Sequence, residues 1–166
     1  IDEELFNEFW DIYNDAADSG LASAPVQLDY ADKDADFYNE LQHNNGVFAA
    51  FKTHRMQNDM AAQLLDENGK LKTFRQWEQD TASIREHHVK NWLKTEYTTA
   101  VRRARLAAEW RQFEREKDIL PNIEWMKTTA VTPGKDHVPF WGVILPIDHP
   151  FWNEHRPGDR WGCKCG

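Results

Sequence analysis

The chain predicts an α+β fold, predominantly α-helical: a helical region over residues 1–120 with one long helix at about 74–117, then a compact β-containing module over 121–166. Three observations carry this expectation. Apolar residues recur at three- and four-residue spacing through residues 2–18 and 47–65. Residues 73–117 contain neither glycine nor proline. From residue 121 onward, β-branched and aromatic segments alternate with proline and glycine turns.

Taken in order, DEELFNEFWDIYNDAAD places Leu5, Phe6, Phe9, Trp10 and Tyr13 on one helical face, with acids in the first turn where the helix dipole favours them. SGLASAP predicts its end. Residues 26–41 read as a short extended piece and a second short helix near Asp34–Leu41. Over Val47–Leu65 the residues Phe48, Phe51, Met56, Met60 and Leu64 form a stripe, stopped at Gly69 within DENGK. Thr73 with Gln76 three residues on forms a capping box and opens the long helix. Its apolar residues, from Phe74 and Trp77 through Tyr97 and Val101 to Trp110, drift around the axis and ask for packing partners on more than one side. The helix ends before Pro121, because a proline disfavours helical geometry at the preceding residue. IEWMKTTAV and FWGVILPI, bounded by TPGKD and DHP, read as short strands.

Eight tryptophans and nine phenylalanines against three methionines predict a core of large rigid rings. A net charge of −8 argues against nucleic acid wrapping the whole molecule, so any charged partner is met locally. No window approaches the roughly 20 apolar residues of a membrane span, and residues 1–20 lack the pattern of a signal peptide. Two cysteines flanking one residue cannot staple a domain of this size and point to a reducing, intracellular compartment. The start at Ile1 predicts a piece of a longer protein.

Candidate chemistry concentrates in the tail. His137, His149, His155, Cys163 and Cys165 are candidate zinc ligands, accompanied by Asp136, Asp148 and Asp159, and a zinc site would need four donors brought to one point. In extended geometry C-x-C directs its sulfurs to opposite faces, so both reach one ion only if the chain bends. The alternatives are that the cysteines are buried, reduced and apolar in character, or that they carry transient redox chemistry. DHVP is similar to the Asp-His-x-x-Pro start of the ββα-metal nucleases, although a later asparagine and histidine on a helix are not clearly placed. His87 and His88 lack the spacing of a metalloprotease helix and read as helix-surface or packing residues. Phosphate loops and nucleophile elbows are absent, leaving covalent catalysis unsupported. On the long helix, Arg102, Arg103 and Arg105 are candidate contacts for a partner protein or DNA backbone. The Arg105–Glu109 spacing, and that of Arg111 with Glu114 and Arg115, instead suits ion pairs on a solvated face.

Several words of the chain occur in a recognisable order: NWLKTEYTTAVRRARLAAEW, LPNIEWMKTTA, His137 with Gly142 five residues on, LPIDHPFW and RPGDRWGCKC. Over roughly the last two thirds they resemble the Mu F-like minor head proteins of tailed phages and prophages. The stretch IDHPFWNEHRPGDRWGCKC is the most specific part. An acidic residue common in that family seven positions before the motif histidine is Ala130 here. The resemblance implies a non-enzymatic head-morphogenesis protein associated with portal and capsid proteins in the head interior, made in the host cytoplasm and near packaged DNA. It also implies an alternative, the packaging or delivery module of a phage-borne toxin whose toxin domain would follow Gly166.

Overall fold

The structure is a computed structural model that describes residues 1–166. In chain order it contains α1 (Glu3–Ser23), α2 (Ala35–Ala61), α3 (Phe74–Asp80), α4 (Ala82–Glu86), a π-helical turn (His87–Trp92) and α5 (Leu93–Glu116). There follow β1 (Asn122–Glu124), a 3-10 turn (Val138–Phe140), β2 (Ile144–Pro146) and α6 (Phe151–Glu154). The predominantly helical α+β class is as expected. No helix is long and apolar enough to cross a membrane.

The chain forms two compact units, one of Ile1–Asp15 with Phe37–Tyr97 and one of Ala16–Asp36 with Thr98–Gly166. The division expected at residue 120 does not coincide with them. Residues 121–166 share a unit with the second half of α1 and most of α5, through contacts that no local pattern announces.

In the first unit, Phe9, Tyr13, Ala49 and Met56 form the buried centre, joined by Leu5, Phe6, Trp10, Met60 and Leu93. Asp2 caps α1, its Oδ1 accepting from the Leu5 amide at 2.8 Å. Residues 35–61 form one helix where a short helix and a separate one were expected. Gly46 is tolerated inside it because a Cβ there would come within 3.3 Å of the Trp10 indole nitrogen, so the missing side chain makes room for a ring. The helix also stops at Ala61 rather than Leu65. There the chain turns, with Asp66 Oδ1 accepting from the amides of Asn68 and Lys70, Gly69 at φ +73° and Leu65 bridged to Leu71. The Thr73–Gln76 capping box is present. Uninterrupted helix nevertheless begins only at Ala82: buried Thr81 donates its hydroxyl back to the Trp77 carbonyl at 2.8 Å and separates α3 from α4. His88 is buried with Nε2 3.3 Å from Asp59 Oδ2, a packing residue as expected.

In the second unit α1 runs on through Gly20, which the sequence marks as a breaker. A Cβ at Gly20 would overlap the Val101 carbonyl, so this glycine permits a close approach of helix backbones. Buried Asp34 accepts from the Asp29 amide at 2.8 Å, from Arg111 Nε at 3.0 Å and from Arg115. Arg111 and Arg115 therefore serve Asp34, in addition to any pairing along their own helix. The strands are much shorter than expected, β1 and β2 pairing antiparallel with Ile123 opposite Leu145. Around this small sheet Trp125, Trp152 and Cys165 are buried together, with Trp110, Phe140, Trp141 and Phe151 packed on them.

Candidate metal centre

The tail reaches its place through glycines and backbone tethers. Gly158 and Gly162 adopt φ of +84° and +67°, a region other residues avoid, and redirect the chain before Cys163. The Gly162 amide donates to Thr99 Oγ1 at 3.3 Å, the Met126 amide to the Gly166 carbonyl at 2.7 Å and the Thr129 amide to the Lys164 carbonyl at 3.2 Å. Arg102 donates to the Cys165 carbonyl. Arg103 donates to the carbonyls of Gly158 at 3.1 Å and Asp159 at 2.8 Å, with its guanidinium 5.1 Å from the Trp161 ring. Arg105 pairs with Glu109 at 2.8 Å. Two of the three arginines singled out as partner or DNA contacts thus hold the tail, and the third forms the helix-surface pair its spacing suggested.

The same tethers bend the C-x-C. The Cys165 amide lies 3.4 Å from Cys163 Sγ, so the first sulfur folds back over the second residue instead of pointing away. Both cysteines are free thiols. His137 is buried beside the 3-10 turn and packs edge-on against Trp125, ring centroids 5.2 Å apart. Its Nδ1 lies 3.4 Å from Cys163 Sγ and 3.8 Å from Cys165 Sγ. All three donor atoms lie within 4.8 Å of one another, and the group could hold a metal ion. Metal bonds of about 2.3 Å to sulfur and 2.0–2.1 Å to nitrogen can span both nitrogen–sulfur distances from one point.

Around these donors lie further polar groups: Asp159, which the sequence suggested, and two indoles that sequence reading did not single out. His137 Nε2 approaches Asp159 Oδ1 to 2.9 Å, yet that buried oxygen receives no well-aligned hydrogen bond, so the contact acts as an electrostatic one. The indole N–H groups of Trp125 and Trp141 are buried without an oxygen or nitrogen acceptor and face the sulfur of Cys165. Burial pushes the Cys165 thiol above its ordinary pKa, the neighbouring Cys163 adds to this, and the two indoles oppose it. Only the three-dimensional closure of the tail brings these residues together.

His149 and His155 do not join the group. Exposed His149 accepts the Phe151 amide at its Nδ1, 3.1 Å away, while His155 lies against Phe140 and Phe151 with centroids 4.7 and 5.0 Å distant. Asp136 pairs with Arg160 at 3.3 Å and Asp148 with Lys117 at 3.4 Å. The DHVP segment has one residue between His137 and Pro139, one fewer than Asp-His-x-x-Pro requires, and leads into a 3-10 turn. Comparison with family models, curated proteins and solved structures finds no match to this chain.

Proposed function

We propose that this chain is a non-enzymatic head-assembly domain of a tailed phage or prophage, of the Mu F-like minor head type, acting inside the head on portal and capsid proteins. In this reading its C-terminal module is closed by a zinc ion on His137 Nδ1, Cys163 Sγ and Cys165 Sγ. One observation carries it. The words behind the resemblance supply the residues buried together: Trp125 from LPNIEW, His137, Trp152 from DHPFW and Cys165 from GCKC. Their recurrence in a fixed order thereby has a physical reason, since each fills part of one aromatic core.

The donor set fits zinc because thiolate and imidazole are its preferred ligands. Asp159 would orient the imidazole from its far nitrogen, and the indoles of Trp125 and Trp141 would donate to the Cys165 thiolate. A bound ion would fix residues 137 and 163–165 to one another.

The test is co-expression with the portal protein encoded in the same genome, followed by size-exclusion chromatography and elemental analysis. Co-elution with about one zinc per chain is the expected result. Separate elution, together with magnesium- or manganese-dependent cutting of plasmid DNA that His137→Ala abolishes, would replace this reading with the nuclease one.

A further inference from the structure

The zinc reading leaves one coordination position unaccounted for. Zinc takes four ligands, and the chain brings together three. The other polar candidates are committed elsewhere: His149 to the Phe151 amide, Asp136 to Arg160, and Asp159 to the far side of the His137 ring. The three donors line a cleft of about 360 Å³, whose wall at Thr128, Ala130, Thr132 and Gly134 is made of small residues. A molecule can therefore approach the donors from this side.

The charge of the cleft narrows the choice of molecule. A divalent ion with two thiolates and a neutral imidazole carries no net charge, and the Asp159 carboxylate lies behind the imidazole, outside the cleft lining, so on the open side the wall decides. Arg160 and Asp136 pair with one another on it, which leaves Lys164 as the unbalanced charge of the wall. We infer that the metal centre of this chain is open at one position and takes an external carboxylate there, either a small free acid or an acidic side chain of a partner protein. This inference rests on the zinc reading above. The carboxylate oxygen would supply the fourth bond, while Lys164, exposed on the cleft wall, would attract the charge.

The experiment uses the full chain loaded with one equivalent of cobalt(II), whose visible spectrum reports its ligands. Sodium acetate is titrated at constant pH and ionic strength, then imidazole, then a glutamate hexapeptide. The expected result is a saturable change of the ligand-field bands with cobalt retained. Lys164→Gln should raise the acetate midpoint roughly two- to fivefold, the worth of one exposed charge, and leave the imidazole midpoint unmoved. A response to the hexapeptide at far lower concentration than to acetate assigns the position to a protein partner; equal responses assign it to a small acid. A spectrum that ignores all three probes while cobalt stays bound overturns the inference and leaves the metal centre standing. Failure to take up cobalt, with no zinc in the purified chain, refutes the metal centre itself.

Discussion

Asp34→Asn should destabilise the chain more than any other substitution that preserves side-chain shape. The carboxylate is wholly inaccessible and accepts from the Asp29 amide, Arg111 and Arg115. The amide keeps the oxygen that both arginines share, but turns an N–H toward the Asp29 amide and leaves two guanidinium groups facing a neutral partner. Hydrogen bonds to charged groups contribute about 1.5–3 kcal/mol each. The arginine side chains are about one-third exposed (32 % and 31 %), so water recovers part of their loss. The lower end of that range, counted for two bonds, gives about 3 kcal/mol. For a chain of this size that corresponds to roughly 6–12 °C in melting temperature. The pH dependence has a definite sign. Burial pushes the Asp34 carboxyl up, but the Asp29 amide and the two arginines outweigh it and hold the pKa below the ordinary value. The stabilisation is therefore complete above the pKa of an unfolded aspartate, about 3.9, and disappears as pH falls through the lower folded value. Urea unfolding of both proteins, followed by far-ultraviolet circular dichroism from pH 7 downward, measures the difference. A gap under about 0.5 kcal/mol at pH 7, or one that widens in acid, would refute the reasoning.

Other expectations concern the second unit. Replacing Cys163 and Cys165 together by serine should abolish zinc uptake, lower the melting temperature and open residues 121–166 to early proteolysis; unchanged zinc uptake and protease resistance would contradict the closure. Trp152→Ala removes a ring that is 1 % exposed and the indole donor to the Pro146 carbonyl at 2.9 Å, costing about 3–5 kcal/mol in urea unfolding. Arg103→Glu should free the tail while changing DNA affinity little, since this guanidinium is bonded to Gly158 and Asp159. Limited proteolysis and a filter-binding assay separate the two effects, and lost DNA binding with an intact tail would restore the DNA contact expected from sequence.

What was legible in the sequence was local. Helical periodicity located α1 and much of α2, and Thr73 with Gln76 marked a real cap. Gly20, within SGLASAP, misled because a glycine that breaks a helix and one that lets another group approach look alike in a sequence. Gly20 faces the Val101 carbonyl and Gly46 the Trp10 ring, and both lie inside helices. Thr81 is the converse case, since its back-bond to Trp77 divides a run with neither glycine nor proline. Long-range partners were hidden too. Nothing near Arg111 and Arg115 signals Asp34, and the Glu114 and Glu116 carboxylates instead receive hydrogen bonds from Trp110 and Gln112. At the candidate site the residue types that meet were evident, but choosing His137 over His149 and His155 needed the tail to be folded.

The placement of buried polar atoms without a hydrogen bond bears on the zinc reading of that tail. Five buried side-chain atoms lack a hydrogen-bond partner, and three of them, Trp125 Nε1, Trp141 Nε1 and Asp159 Oδ1, border the His137–Cys163–Cys165 group. Leaving such a group unsatisfied costs about 1–3 kcal/mol each, so a stronger acceptor at the Cys165 sulfur would lower the cost at both indoles. Two neutral thiols are weak acceptors and supply little. In the zinc reading all three contacts would change at once: Cys165 would be held as a thiolate and accept from both indoles, and the His137 Nε2–H would donate to Asp159. Metal removal should therefore do more than lower stability. Chelation ought to shift the fluorescence of Trp125 and Trp141 and restore it on adding back one equivalent of zinc; Trp141→Phe should lose part of that response while keeping the metal. A spectrum indifferent to chelation would mean that aromatic packing alone closes the tail.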